Sequence, residues 1–131
     1  MTGGNYDFAV RFLIEQFKRA AIVTHFGFED EDRAMQRAGI GAAKRVVQGL
    51  DAFDARLALV PLLDDPDWGV RVSAAGYLVK ALPERALAVL KEIRDHCPTH
   101  ARITASHMLW NYEHGELDGS ASHRIRDTPK I

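Results

Sequence analysis

One stretch of this chain is written twice. Val70-Arg71-Val72-Ser73-Ala74-Ala75 returns as Ala101-Arg102-Ile103-Thr104-Ala105-Ser106, an offset of 31 residues from Arg71 to Arg102. The register extends outward: Leu59 falls on Leu90, Leu62 on Ile93, Asp64 on Asp95, Ala74 on Ala105 and Leu78 on Leu109. A self-match near this period, with apolar residues at helical spacing in both copies, is the mark of helical hairpins stacked so that each covers its neighbour's apolar side. The fold expected is all-α, a right-handed α-α superhelix of about six helices. A single domain over 1–117 would hold helical pairs near 5–50, 54–81 and 83–114, followed by a polar tail over 118–131, expected to be frayed, that carries Gly119 and Pro129 without periodicity.

Composition narrows the function classes. With 17 basic and 18 acidic residues the formal charge is −1, so no whole-molecule field attracts nucleic acid or an anionic membrane. One cysteine, Cys97, excludes an internal disulfide and suits a reducing compartment. Met1-Thr2-Gly3-Gly4-Asn5 lacks the charged and apolar regions of a signal peptide, and runs such as Leu57 to Leu63 fall far short of the ~20 residues that span a bilayer. The expected location is cytoplasmic.

Along the chain, Asn5 is the expected cap of a first helix to about Thr24, whose stripe Val10, Leu13, Ile14, Phe17 and Ala21 faces inward. Arg11, Glu15 and Arg19 alternate in sign on its solvated flank, and Gly27 is the expected stop. A second helix over 31–50 shows the stripe Met35, Ala38, Ala42, Val46 and Leu50, weakened by Gly39, Gly41 and Gly49. Asp54 is expected to cap a short helix to Asp64, bent at Pro61. Asp67 caps the helix from Trp68 to about Ala81, Pro83 opens one to Asp95, and Thr99 caps one to His114 that Gly115 ends.

Leu59-Val60-Pro61-Leu62-Leu63-Asp64-Asp65-Pro66-Asp67-Trp68-Gly69-Val70-Arg71-Val72-Ser73-Ala74-Ala75 resembles a HEAT repeat: a leucine-rich first helix, an Asp-Pro turn, then Val-Arg-x-x-Ala-Ala. The resemblance implies a ladder in which the turn aspartate and the arginine bond between neighbouring repeats, here Asp65 with Arg71. In the second copy, opened by Arg102, His96 stands at the aspartate position, leaving Asp95 as the substitute. The stretch from Leu57 to Leu117 also resembles a short bacterial domain family of unknown function built on HEAT-like pairs. That likeness implies a fold and carries no catalytic residues.

Several clusters invite chemistry. His100, His107 and His114 recur every seven residues, about 10 Å of helix rise, too far apart for two to share one metal directly. His96, Cys97 and His100 lie closer but lack a second ligand pair, and Cys97 lacks an orienting acid, so an exposed turn cysteine is expected and neither metal, cofactor nor nucleophilic catalysis is. A more productive surface is the inner face of paired second helices, Ser73, Lys80, Thr104, His107, Asn111 and His114; Trp68 and Trp110 are expected to pack at repeat junctions, with a partly exposed anchor as the alternative role for Trp68 at its turn. Arg33, Arg37, Lys44 and Arg45 give the second helix a basic side, expected to be paired with Glu29 to Asp32. The reading is a non-enzymatic module binding an unidentified protein partner, an adaptor or immunity-type protein. Nucleic-acid binding through the basic helix is the alternative.

Overall fold

Asp32, Asp67 and Pro83 set where three helices begin. The Asp32 and Asp67 carboxylates accept from the backbone N–H of Met35 and Val70, each at 3.0 Å, satisfying donors that a helix start leaves open. Pro83 occupies the first turn, where its missing N–H leaves no bond unmade. The computed structural model describes residues 2–119: α1 (Thr2–Glu29), α2 (Arg33–Ala52), a 3-10 helix (Arg56–Asp64), α3 (Trp68–Leu78), α4 (Pro83–His96) and α5 (Ala101–Glu113). The expected all-helical class and helix count hold, with no strand among the described residues. Gly115, at φ +74°, follows α5 as expected.

Three elements depart from expectation. α1 starts at Thr2, so Asn5 lies inside it, and it passes through Gly27 to Glu29. Gly27 is a point of contact instead of a stop: a Cβ there would lie 2.7 Å from the Gln36 backbone nitrogen, and the Gln36 side-chain amide donates to Gly27 O at 3.1 Å. The chain turns later, at Glu31, which takes φ +56°.

α2 buries Gly39, Ala43, Val46, Val47 and Leu50, whereas Ala38 is exposed and Met35 and Ala42 only half-buried. The reason is Gly39. Its missing Cβ would collide with the Thr24 side chain and come within 2.6 Å of the Thr24 backbone nitrogen, so the two helices cross backbone to backbone there. Thr24 is the buried polar residue of the core, and its hydroxyl donates to Ala20 O at 2.8 Å, which removes the penalty of burying it.

The segment before α3 is wound as a 3-10 helix through Pro61, and Asp54 caps nothing; it stands at φ +55°. An α-helix would place the Pro61 ring against the preceding turn and require the N–H it lacks. The position 31 residues on, Glu92, carries no such constraint, and α4 is a regular α-helix.

α3 is the central element. It touches the 3-10 helix, α4, α1 and α5, and buries Gly69, Val70, Val72, Ala74, Ala75, Gly76 and Leu78, so almost no side of it is polar. Around it Phe17, Val47, Leu50, Leu59, Leu63, Leu90 and Ile93 complete one continuous core. Arg56 ties the elements together. It holds Asp51 through two bonds of 2.8 and 2.6 Å and donates to Tyr77 O at 2.7 Å and Gly119 O at 2.5 Å. The expected tail therefore does not begin loosely: Gly119 is buried, and the remainder of that expectation, 120–131, lies outside the described residues. Among the described residues no helix is long and apolar enough to cross a membrane.

Candidate functional site

α5 packs inward through Ala101, Ala105 and Leu109. On the opposite side Ile103, His107, Trp110 and His114 follow one another at i, i+4, i+7 and i+11, one line along the helix. Trp110 is 53% exposed and Ile103 40%. The His114 ring stacks on the indole with 3.6 Å between centroids and 18° between planes, and its Nδ1 lies 2.8 Å from Trp110 O, so the tryptophan is held in place although solvent reaches it.

Trp110, expected as a packing residue, is the more exposed of the two tryptophans. Trp110 projects away from the Ala105–Leu109 side that packs, whereas Trp68 is half-buried with the Arg71 guanidinium 5.1 Å above its ring. Of the expected inner face, His107 and His114 are exposed together with Trp110, while Thr104 and Asn111 are half-buried at its shoulder. Ser73 and Lys80 do not extend this line. They flank Gly76, which is buried where Met108 packs: a Cβ would meet Met108 Cε at 2.9 Å.

The expected Asp65–Arg71 ladder is also corrected. Arg71 donates through Nε to Leu63 O at 3.0 Å and through Nη2 to Glu92 Oε1 at 2.6 Å, reaching forward to α4. Asp65 closes its own turn, accepting from Asp67 N at 3.0 Å, and lies 3.6 Å from the Lys18 ammonium. Arg102 is exposed and has no side-chain partner among the described residues. Asp95, the expected substitute, is held by Arg94 at 2.8 Å, and that hydrogen bond lowers its carboxyl below the usual range.

Where the end of α1 meets the starts of α3 and α5, a cluster appears that the sequence did not announce. His100 turns away from the His107–His114 line and stacks on Phe28, 4.7 Å between centroids and 3° apart. Its backbone N–H donates to Glu29 Oε2 at 2.5 Å. His25 also meets Phe28, tilted by 50° with 5.6 Å between centroids, and its ring fills the space left by Gly69, where a Cβ would stand 2.7 Å from Cδ2. The Nδ1 atoms of His25 and His100 are both buried without a hydrogen-bond partner. Burial pushes His25 down to about 4; the Asp67 and Glu29 carboxylates oppose that shift and His100 adds to it. The cluster draws on three segments remote in sequence. Its one visible trace was the interruption of the first helix's apolar stripe at His25.

Cys97 is buried, not an exposed turn thiol, with its sulfur 3.1 Å from Thr99 Oγ1. The described residues contain no group of three or more His, Cys, Asp or Glu suited to a metal ion. On α2, Arg33, Arg37 and Arg45 are exposed and Lys44 half-buried. Their expected pairing with the acidic run is not seen among the described residues, where Asp32 caps α2 and Glu29 holds the His100 N–H. None of the four forms an ion pair among the described residues. Comparison with protein families, with curated proteins and with solved structures gives no match.

Proposed function

We propose that this chain is a cytoplasmic HEAT-like helical-repeat protein that acts without catalysis, as an adaptor or immunity-type module holding one protein partner on the outer face of α5. The observation that carries this reading is Trp110, more than half exposed yet stacked on His114. An aromatic side chain already fixed in one orientation loses little freedom when a partner covers it, while its large apolar surface leaves water; such residues dominate binding energies at interfaces. Ile103 supplies adjacent apolar area, and His107 supplies a ring that donates or accepts at the edge.

The test is quantitative capture from the native host with immobilised wild type, Trp110→Ala and the remote control Lys91→Ala. One protein should be retained equally by wild type and control and lose about 30-fold or more of its affinity for Trp110→Ala, the size expected of a central aromatic anchor. If every retained protein is indifferent to Trp110, the face is not the working surface.

A second reading has its own support in the four α2 cations, which form no ion pair among the described residues. Arg33, Arg37 and Lys44 share one side of the helix over roughly 16 Å, a spacing suited to backbone phosphates. α2 itself carries no aromatic residue to stack on bases, so this reading provides weak, salt-dependent contact without sequence preference.

A further inference from the structure

The outward side of α1 was expected to be a solvated flank, and it is largely aromatic. Phe8 is 65% exposed, Phe12 54%, Val23 38% and Phe26 59%, all on the side of the helix opposite the fully buried Phe17. Along the centre of this side run Phe8, Glu15, Arg19 and Phe26, at i, i+7, i+11 and i+18, a span of roughly 27 Å. Glu15 and Arg19 are exposed and neither forms an ion pair among the described residues.

The order aromatic, acid, base, aromatic is self-complementary when read from opposite ends. We propose that α1 is a homodimerisation surface, occupied by the α1 of a second copy lying antiparallel across a two-fold axis level with Phe17. That arrangement sets Phe8 against the second copy's Phe26, Phe12 against its Val23, and Glu15 against its Arg19, each contact occurring twice by symmetry. The flanking residues agree with it: Phe12 and Val23 lie on the same edge of the stripe, so they meet across the axis instead of diverging. The pairing covers the exposed phenylalanines and gives both central charges an opposite partner at once. A partner of unrelated sequence would not explain why the stripe is complementary to itself.

Sedimentation equilibrium on the full chain between about 1 and 200 µM tests this, with circular dichroism confirming unchanged helix content in each variant. Wild type should be a dimer in this range. Glu15→Arg and Arg19→Glu each place two like-charge contacts at the centre and should raise the dissociation constant about tenfold. Exchanging both charges in one chain should restore it to within about threefold of wild type. A wild-type monomer, whether α1 is bare or covered by residues 120–131 or by another protein, overturns the proposal. So does a dimer indifferent to the single reversals, or a double variant as weak as either single one.

Discussion

The α1–α2 hairpin and the twice-written half differ in what brings their helix backbones closest. In the hairpin, side chains are removed: Gly39 lets α2 cross α1 at Thr24, and Gly27 lets the end of α1 touch Gln36. In the half from Arg56 onward, side chains interleave, with Leu59, Leu63, Val72, Leu78, Leu90 and Ile93 filling a continuous layer. Interleaving leaves an apolar period that can be read from sequence, whereas a glycine seam reads as a weak helix. Close approach and loose structure thus look alike until the second backbone is in view.

The largest effect should come from Gly39. Adding a methyl group forces it into the Thr24 backbone, which cannot withdraw as a side-chain end would, so Gly39→Ala should cost about 3 kcal/mol or more, or abolish folding. Gly49→Ala is the matched control. Its Cβ would sit 3.4 Å from a Leu13 methyl, an ordinary contact, and helix propensity should make the change neutral or stabilising by up to about 1 kcal/mol. Urea unfolding of the two variants separates them. Equal responses would mean that no seam exists at Gly39.

His25 stands on the border of the two regions, at the tip of α1 against the start of α3. Its folded pKa, about 4, is below the ordinary value of 6.5. The unfolded chain therefore takes up a proton as pH falls through 6.5 while the folded chain does not until about 4. Stability should be unaffected by this group above pH 6.5, decline by up to about 3 kcal/mol between 6.5 and 4, and level off below that. Unfolding free energies measured across this window, for wild type and His25→Phe, check the sign. The variant should lose most of the slope that remains after the general acid response of the carboxylates. An unchanged slope would contradict a depressed His25 pKa in the folded chain.

Much of the architecture was legible where local chemistry decides it. The Asp67 cap, the Pro83 start, the Gly115 stop and the inward stripe through Phe17 and Ala21 depend on residues close in sequence, and each stands where expected. Three kinds of feature were not legible. The 3-10 winding through Pro61 depends on how a whole segment accommodates one missing donor. The exposure of Trp110 depends on which side of α5 faces α3 or open solvent, and a tryptophan's identity does not report that. The His25–Phe28–His100 cluster, packed against the start of α3 at Gly69, is assembled from three helix ends that only the tertiary fold brings together.

The sharpest contrast lies within the repeated sequence, between the two arginines that first revealed it. Both occupy the same register, but Arg71 is anchored by Leu63 O, by the Glu92 carboxylate and by the Trp68 ring, whereas Arg102 is exposed. The difference is one of neighbours: Arg71 reaches α4, the first helix of the next copy, and the residue one period beyond Glu92 is His123, outside the described residues. Register places the helix, and the groups within reach decide what its arginine does. Paired urea unfolding of Arg71→Ala and Arg102→Ala tests this most directly. Arg71→Ala should lose about 1–3 kcal/mol through its charge-assisted bonds, with Arg102→Ala within about 0.5 kcal/mol of wild type. Equal losses, or a larger loss at Arg102, would contradict the account.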